Sequence, residues 1–447
     1  MDHHSLEMES RQSHSFGRLS AANSSRRQSL SSAQYDDTIE SESVSEAGDI
    51  GDRILHSNRC SASGRSHFSL DNGSVVPIQD NILSSTSLPS HLEKLPSPSV
   101  DLQTDSEENK KDKKEVHFVL QYVSYLLTLA VFGILGVLAR YCLQKLFGPG
   151  VIGATSDGSY MYLDLPSNMV GSFLMGWFGV VFKGDISMVS DQLAIGLTTG
   201  FLGSLTTFSG WNQKVLDLCI EGHWIFAALA IFIGLFLVAY SIIFGIETAK
   251  GFRWLCKHSN IKSFFGIPTC LRACNLNKSN CLLTIMAMFL LMLGLLWGLF
   301  GALAKNNFES GGSKAQLFLA CMVGPFGVWM RWFLARFNGR GLGIAGHVKW
   351  MPLGTLAANV LAASLMAALT TLKKTVKTKS CDTAVSGIQF GLLGCLSTVS
   401  TFIAEFHAMR ESLHPWRAYA YAMVTFVLSF LLGTLVYLVP GWTRGYD

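Results

Sequence analysis

Nine residues, Gly133-Ile-Leu-Gly136-Val-Leu-Ala-Arg140-Tyr141, come back 191 positions later as Gly324-Pro-Phe-Gly327-Val-Trp-Met-Arg331-Trp332. The same offset relates Asn168 to Asn359, Gly196 to Gly387, Gly203 to Gly394, Thr207 to Thr398, Ser209 to Ser400 and His223 to His414. One offset held across several segments without insertion marks a duplicated unit. The duplicated segments are apolar, which points to two homologous halves in a bilayer, the construction of a transporter or channel.

Composition agrees with a membrane reading. Hydrophobic residues make up 49% of the chain and charged residues 15%, with mean hydropathy +0.32; this is the profile of a polytopic membrane protein. The net charge of +4 says nothing for nucleic acid. Residues 1–115 differ from the rest: they are Ser-rich, poor in aromatics and without an apolar run, which predicts a disordered cytosolic tail. No h-region of a secretory signal stands at the start. Arg26-Arg27-Gln28-Ser29 fits either a basophilic kinase site, with a kinase acting on the tail, or an unmodified polar segment.

A membrane helix needs roughly 20 apolar residues. Runs of that length predict helices at about 117–143, 163–182, 191–213, 224–247, 281–303, 315–336, 352–372, 384–410 and 416–438. The expected fold is therefore all-α: nine transmembrane helices, with two four-helix repeats, 116–248 and 315–440, joined through a basic loop and linking helix at 249–314, and a short end at 441–447. A single linking helix inverts the second repeat relative to the first. Lysines 110, 111, 113 and 114, the basic loop after the fourth helix and Arg336, Arg340 and Lys349 share one side, which makes that side cytosolic and puts the C-terminus outside. Lys373, Lys374, Lys377 and Lys379 dissent, falling on the outer side. In the basic loop, Cys256, His258, Cys270, Cys274 and Cys281 fit no strong zinc spacing and read as reduced cytosolic thiols. The Asn277-Lys-Ser279 triplet faces the cytosol and is discounted as a glycan acceptor.

Polar residues at membrane depth are expensive, so each is a functional candidate. Asn168 and Asn359 open helices two and seven. Thr206, Thr207 and Ser209, with Ser397, Thr398, Ser400 and Thr401, lie within helices three and eight. Arg140 and Arg331 end helices one and six. Glu405 is the one acid placed inside a helix, so a carboxylate ring for cations or a proton relay is not in view. Amides, hydroxyls and guanidinium groups are donors, and donors favour a small anion. The segments 200–210 and 391–401 are rich in Gly, Ser and Thr. They predict either breaks in helices three and eight that release carbonyls toward a hard cation, or close packing of helices through small residues. Tyr421, Thr425 and Ser429 recur every four residues and share one helical face. Their first-half mates, Ala230, Gly234 and Val238, have lost the hydroxyls, which predicts one working path and one degraded path.

These residues resemble the fluoride channel family, the Fluc or CrcB-type proteins, and in particular its fused, plant-like eukaryotic form, the fluoride exporters called FEX. The marks are Gly136-Val-Leu-Ala-Arg140-Tyr141, Asn168-Met-Val-Gly171-Ser-Phe-Leu-Met-Gly176 and Gly200-Phe-Leu-Gly203-Ser-Leu-Thr-Thr-Phe208-Ser-Gly-Trp211, echoed by Arg331-Trp332, Asn359 and Gly394-Cys-Leu-Ser-Thr-Val399-Ser-Thr-Phe402. The resemblance covers about 117–438. It implies a fused dimer that works as a monomer in the plasma membrane, exporting fluoride passively, and no enzyme. It implies a structural sodium ion on the backbone carbonyls of Gly203, Thr206, Gly394 and Ser397. It also implies a fluoride pore of Asn168, Asn359, Phe208, Phe402, Thr207, Thr398, Ser400, Tyr421, Thr425 and Ser429, with Arg140 and Arg331 as vestibule or structural residues. Trp211 and Val399 depart from the family's aromatic pair, so the path holding Phe208 and Phe402 is expected to conduct. The alternatives are a small-cation or drug antiporter derived from a dual-topology ancestor, which needs Glu405 as its carboxylate, and a scaffold whose tail binds partners.

Overall fold

A computed structural model describes residues 104–156, 158–258, 278–342 and 348–445. The kinase-like motif, Cys270, Cys274 and the start of the Asn277 triplet lie outside the described residues. The described segments are helical, as the apolar runs predict. Helix α1 spans Thr104–Phe147 and so begins inside the stretch expected to be tail. Helix α2, Leu165–Met175, opens with a proline in its first turn, where the missing N–H costs no hydrogen bond, and continues into a π-helical turn. A short helix α3, Lys183–Val189, follows at a 66° bend.

Helix α4, Asp191–Ile195, runs on through a π-helical turn, Gly196–Leu202, to Gly203–Leu205, and α5 restarts at Phe208–Ile220. Helices α6, Trp224–His258, and α7, Lys278–Asn307, complete the first half and the link. The second half repeats the order. Helix α8 is Gly312–Leu334 and α9 is Leu353–Thr375. Helix α10, Lys379–Ile388, passes through a π-helical turn, Gln389–Leu393, to Gly394–Leu396. Helices α11, Ser400–Arg410, and α12, Trp416–Gly433, close the half.

Among the described residues, seven helices are long and apolar enough to cross a membrane, or eight if the bent pair Leu165–Val181 and Lys183–Val189 is one span. The chain is a multi-pass membrane protein. The third of the nine expected spans, 191–213, is split between α4 and α5 and is not among the seven, although its repeat mate, Lys379–Arg410, is. Both segments are broken, at Thr206 and at Ser397, and both carry charges, Asp191, Lys214 and Asp217 around the first and Lys379, Asp382, Glu405 and Arg410 in the second.

The two halves close on each other. Helices α1 and α8 pack along their length, and α7 lies outside them, with most of its apolar surface uncovered. Arg331 donates from Nη2 to the Thr199 carbonyl at 2.7 Å, and Arg140 donates from Nη2 to the Phe390 carbonyl at 2.5 Å. Thr199 and Phe390 are themselves repeat mates. A contact of i to j matched by the mate of i to the mate of j is the signature of a two-fold relation, here within one chain. Both guanidinium groups are buried, and each lies against a glycine of the other half, Arg331 on Gly203 and Arg140 on Gly394. Any Cβ at either glycine would overlap a guanidinium, so these positions must stay bare.

Candidate functional site

The breaks between α4 and α5 and between α10 and α11 are built by side chains. Asn168 accepts the Thr207 amide on Oδ1 at 2.8 Å and donates from Nδ2 to the Thr207 carbonyl at 3.1 Å. Asn359 does the same to Thr398, at 2.8 and 3.1 Å. Each asparagine thus grips the N–H and the C=O of one threonine and holds that residue out of the helix; Thr206 and Thr207 are extended, as is Ser397. The Asn168 amide has a further acceptor in the Tyr162 hydroxyl at 3.2 Å.

The two breaks then cross. Thr206 Oγ1 accepts the amides of Val399 and Ser400 at 3.1 and 3.0 Å, and Ser397 Oγ accepts those of Phe208 and Ser209 at 3.2 and 3.1 Å. Each half's hydroxyl therefore caps the first turn of the other half's helix, satisfying N–H groups that a helix start leaves open. Thr207, Ser209, Thr398 and Ser400 join the same fully buried hydroxyl network.

The geometry also frees backbone oxygen. In an unbroken helix the carbonyls of Gly203, Thr206, Gly394 and Ser397 would each accept the amide four residues on. Here those amides are spent elsewhere: Thr207 on Asn168, Gly210 on Thr207 Oγ1, Thr398 on Asn359, and Thr401 on Thr398 Oγ1. Among the described residues no cluster of three or more His, Cys, Asp or Glu side chains is placed to hold a metal. A cation at this centre would rest on these oxygens, which suit a hard ion.

Beside the crossing lies an aromatic cluster. The rings of Phe208 and Phe402 stand 6.2 Å apart, Phe402 stands 5.1 Å from Tyr421, and Phe426 stands 5.1 Å from Phe208 and 6.3 Å from Phe402. Sequence reasoning missed Phe426: its first-half mate is Leu235, so the repeat does not flag it. Trp211 also packs here, 5.0 Å from Phe426 and stacked on Tyr162 at 5.6 Å.

Tyr421 OH donates to Glu405 Oε2 at 2.8 Å, and Glu405 Oε1 accepts from Thr355 Oγ1 at 2.7 Å and Asn338 Nδ2 at 3.3 Å. Asn338 and Thr355, 17 residues apart in sequence, carried no motif to reveal this buried carboxylate site. Higher on α12, Thr425 Oγ1 donates to its own helix at the Tyr421 carbonyl, 2.8 Å away, and Ser429 Oγ is buried with no partner. Arg140 borders a cavity of about 600 Å³ shared with Tyr141, Gln144, Thr207, Gln316 and Gln389, and its Nε is buried without a partner.

The family model for the CrcB-like protein, Camphor Resistance (CrcB), matches residues 127–246 and 318–437, two ranges offset by 191 at both ends and covering more than half of the chain. The fluoride-specific ion channel FluC of Geobacter metallireducens is 35% identical over 125 residues, 28% of this chain and 96% of that protein. FluC of Geotalea uraniireducens is 34% identical over 130 residues, 29% and 91% of the two chains. FluC 2 of Listeria monocytogenes is 36% identical over 113 residues, 25% and 81%. No solved structure matches.

Proposed function

The chain belongs to the CrcB-like family, and on that footing we propose that it is a passive, fluoride-selective channel that exports fluoride from the cytosol across the plasma membrane. Its relatives named as fluoride-specific ion channels are about as long as one of its halves, and the family motif occurs twice in it. It is a conduit, not an enzyme. The observation that carries the reading is the second-half wall on which Phe208, Phe402 and Tyr421 meet, with the unpaired Ser429 hydroxyl farther along the same helix.

Fluoride is small and holds its water tightly, so a selective path must replace that water with donors. On α12 the Ser429 O–H is unspent, the O–H groups of Thr425 and Tyr421 would reach the ion by turning from the Tyr421 carbonyl and Glu405 that hold them, and the Phe208 and Phe402 rings present electropositive edges. Asn168 and Asn359 act by holding the broken peptides that aim α5 and α11. We assign Arg140 to the vestibule beside the 600 Å³ cavity, and Arg331 to the joint between halves. A sodium ion on the carbonyls of Gly203, Thr206, Gly394 and Ser397 would add positive potential at the centre and tie the halves together.

The two-fold relation is read with its axis in the membrane plane, as an inverted pair joined by α7 as the linking span, the fifth of nine. A single chain then does the work of a dimer, with the N-terminus inside and the C-terminus outside. Hydrofluoric acid that diffuses inward ionises at cytosolic pH, and a negative-inside potential drives the anion out with about 2.3 kcal/mol per charge per 100 mV.

The test is flux from proteoliposomes followed with a fluoride electrode. Fluoride efflux without chloride efflux supports the reading. Movement of guanidinium or protons in its place overturns it in favour of a Glu405-dependent antiporter.

A further inference from the structure

The line of buried residues along α12 does not stop at Ser429. A further step of four reaches Gly433, the last residue of α12, which lies against Leu216 of α5, and the chain then enters a π-helical turn, Thr434–Leu438, that carries the buried Tyr437. Tyr421 and Tyr437 are sixteen residues apart, about 24 Å along a helix, and stand near the two ends of this segment. Both hydroxyls are held by carboxylates, Tyr421 by Glu405 and Tyr437 by Asp217.

The charges around the two carboxylates differ. At the Tyr421 end Glu405 is held by the neutral groups of Tyr421, Thr355 and Asn338, and Arg417, four residues before Tyr421, is buried over the Trp350 ring. At the Tyr437 end Asp217 is gripped by Gln213 at 3.0 Å and lies in the fields of two cations, Lys214 and Lys374. Lys214 is only 8% exposed, whereas Lys374 is on the surface. By the 191 offset Lys214 stands where the second half has Glu405, so the repeat has reversed its charge at this position. Lys374 lies in the last turn of α9, within the basic stretch that breaks the positive-inside pattern. That stretch lines a hollow of about 470 Å³ with Lys373, Lys377, Lys379 and Asp382, of which Lys373 is paired with the acid, at 2.7 Å.

We propose that Lys214 and Lys374 make the Tyr437 end of the α12 face an electropositive mouth that concentrates small anions and speeds their uptake from that side. The inference rests on the channel reading above. It also gives the dissenting lysines a purpose, because a cationic rim over low-dielectric walls focuses anions and raises their capture rate.

Fluoride currents in inside-out and outside-out membrane patches test it, because both faces are then reached separately. Lys214→Gln should raise the half-saturating fluoride concentration on the Tyr437 side about five-fold at low ionic strength, and by less than about two-fold near 1 M impermeant salt, where charges are screened within about 3 Å. Lys374→Gln, at an exposed position that leaves folding untouched, should act in the same direction but more weakly, and Lys214→Arg should restore the wild-type value. A loss equal from both sides and at every salt concentration overturns the proposal, as does wild-type behaviour of Lys374→Gln and Lys214→Gln together. If the wild-type chain itself passes no fluoride, the channel reading has failed rather than this one.

Discussion

The α12 face and its mate on α6 show what duplication followed by drift does to a conduit. Phe402 of α11 packs at a tilt against Tyr421 of α12, and the hydroxyls of Thr425 and Ser429 follow along α12. The mates of Phe402 and Tyr421 are Trp211 and Ala230, and the contact is retained with its sizes exchanged: the Trp211 indole lies over Gly234 and donates Nε1–H to the Ala230 carbonyl at 3.0 Å. A Cβ at Gly234 would come within 2.5 Å of the indole. The bulk of the pair has moved from α6 to α5, the one polar group is satisfied by backbone, and no donor is left facing the groove. Packing is equal on the two sides; hydrogen-bonding capacity is not.

That contrast can be broken most sharply at the mated aromatics. Phe402→Ala should reduce fluoride efflux from liposomes at least about 100-fold, taking removal of a pore-lining contact as worth about 3 kcal/mol, while Trp211→Ala in the same assay should stay within about two-fold of wild type. Comparable losses from both would mean that both faces conduct. Next in size, Tyr421→Phe and Thr425→Val should each slow efflux about ten-fold, the worth of one lost hydrogen bond to an ion. Grafting threonine at Gly234 should give no new flux, and should lower the melting temperature because the indole has no room to yield.

A third expectation concerns the joint, where the two halves are alike. Thr206→Val and Ser397→Ala each strand two buried amides of the opposite half, at about 1–3 kcal/mol per group, and both should destabilise by similar amounts in detergent unfolding. A large difference between them would show that the crossing is not symmetric. The smallest effect is expected at Glu411, whose ion pair with Arg410 at 2.8 Å is exposed. Glu411→Gln should change stability by less than about 1 kcal/mol.

Much of this was legible beforehand because the repeat turns one chain into two aligned copies. The constant offset marked Asn168, Asn359, Thr206 and Ser397, and the loss of hydroxyls from 230, 234 and 238 announced the unequal faces. The offset could not tell that the hydroxyls of Thr206 and Ser397 cap helices of the opposite half, because that depends on how the copies dock. Phe426, Asn338 and Tyr162 escaped for the opposite reason: they have no counterpart of the same type, so comparison between copies is blind to them. The segment 191–213, expected as one span, is divided at Thr206, and its burial comes from neighbours in both halves.

The reciprocal hold of Arg140 and Arg331 limits what evolution can discard. Each guanidinium is seated on backbone contributed by the opposite copy, so neither lobe reaches its final shape alone. Each copy is thereby the mould in which the other sets, free to change along its groove and held fixed where the two arginines cross.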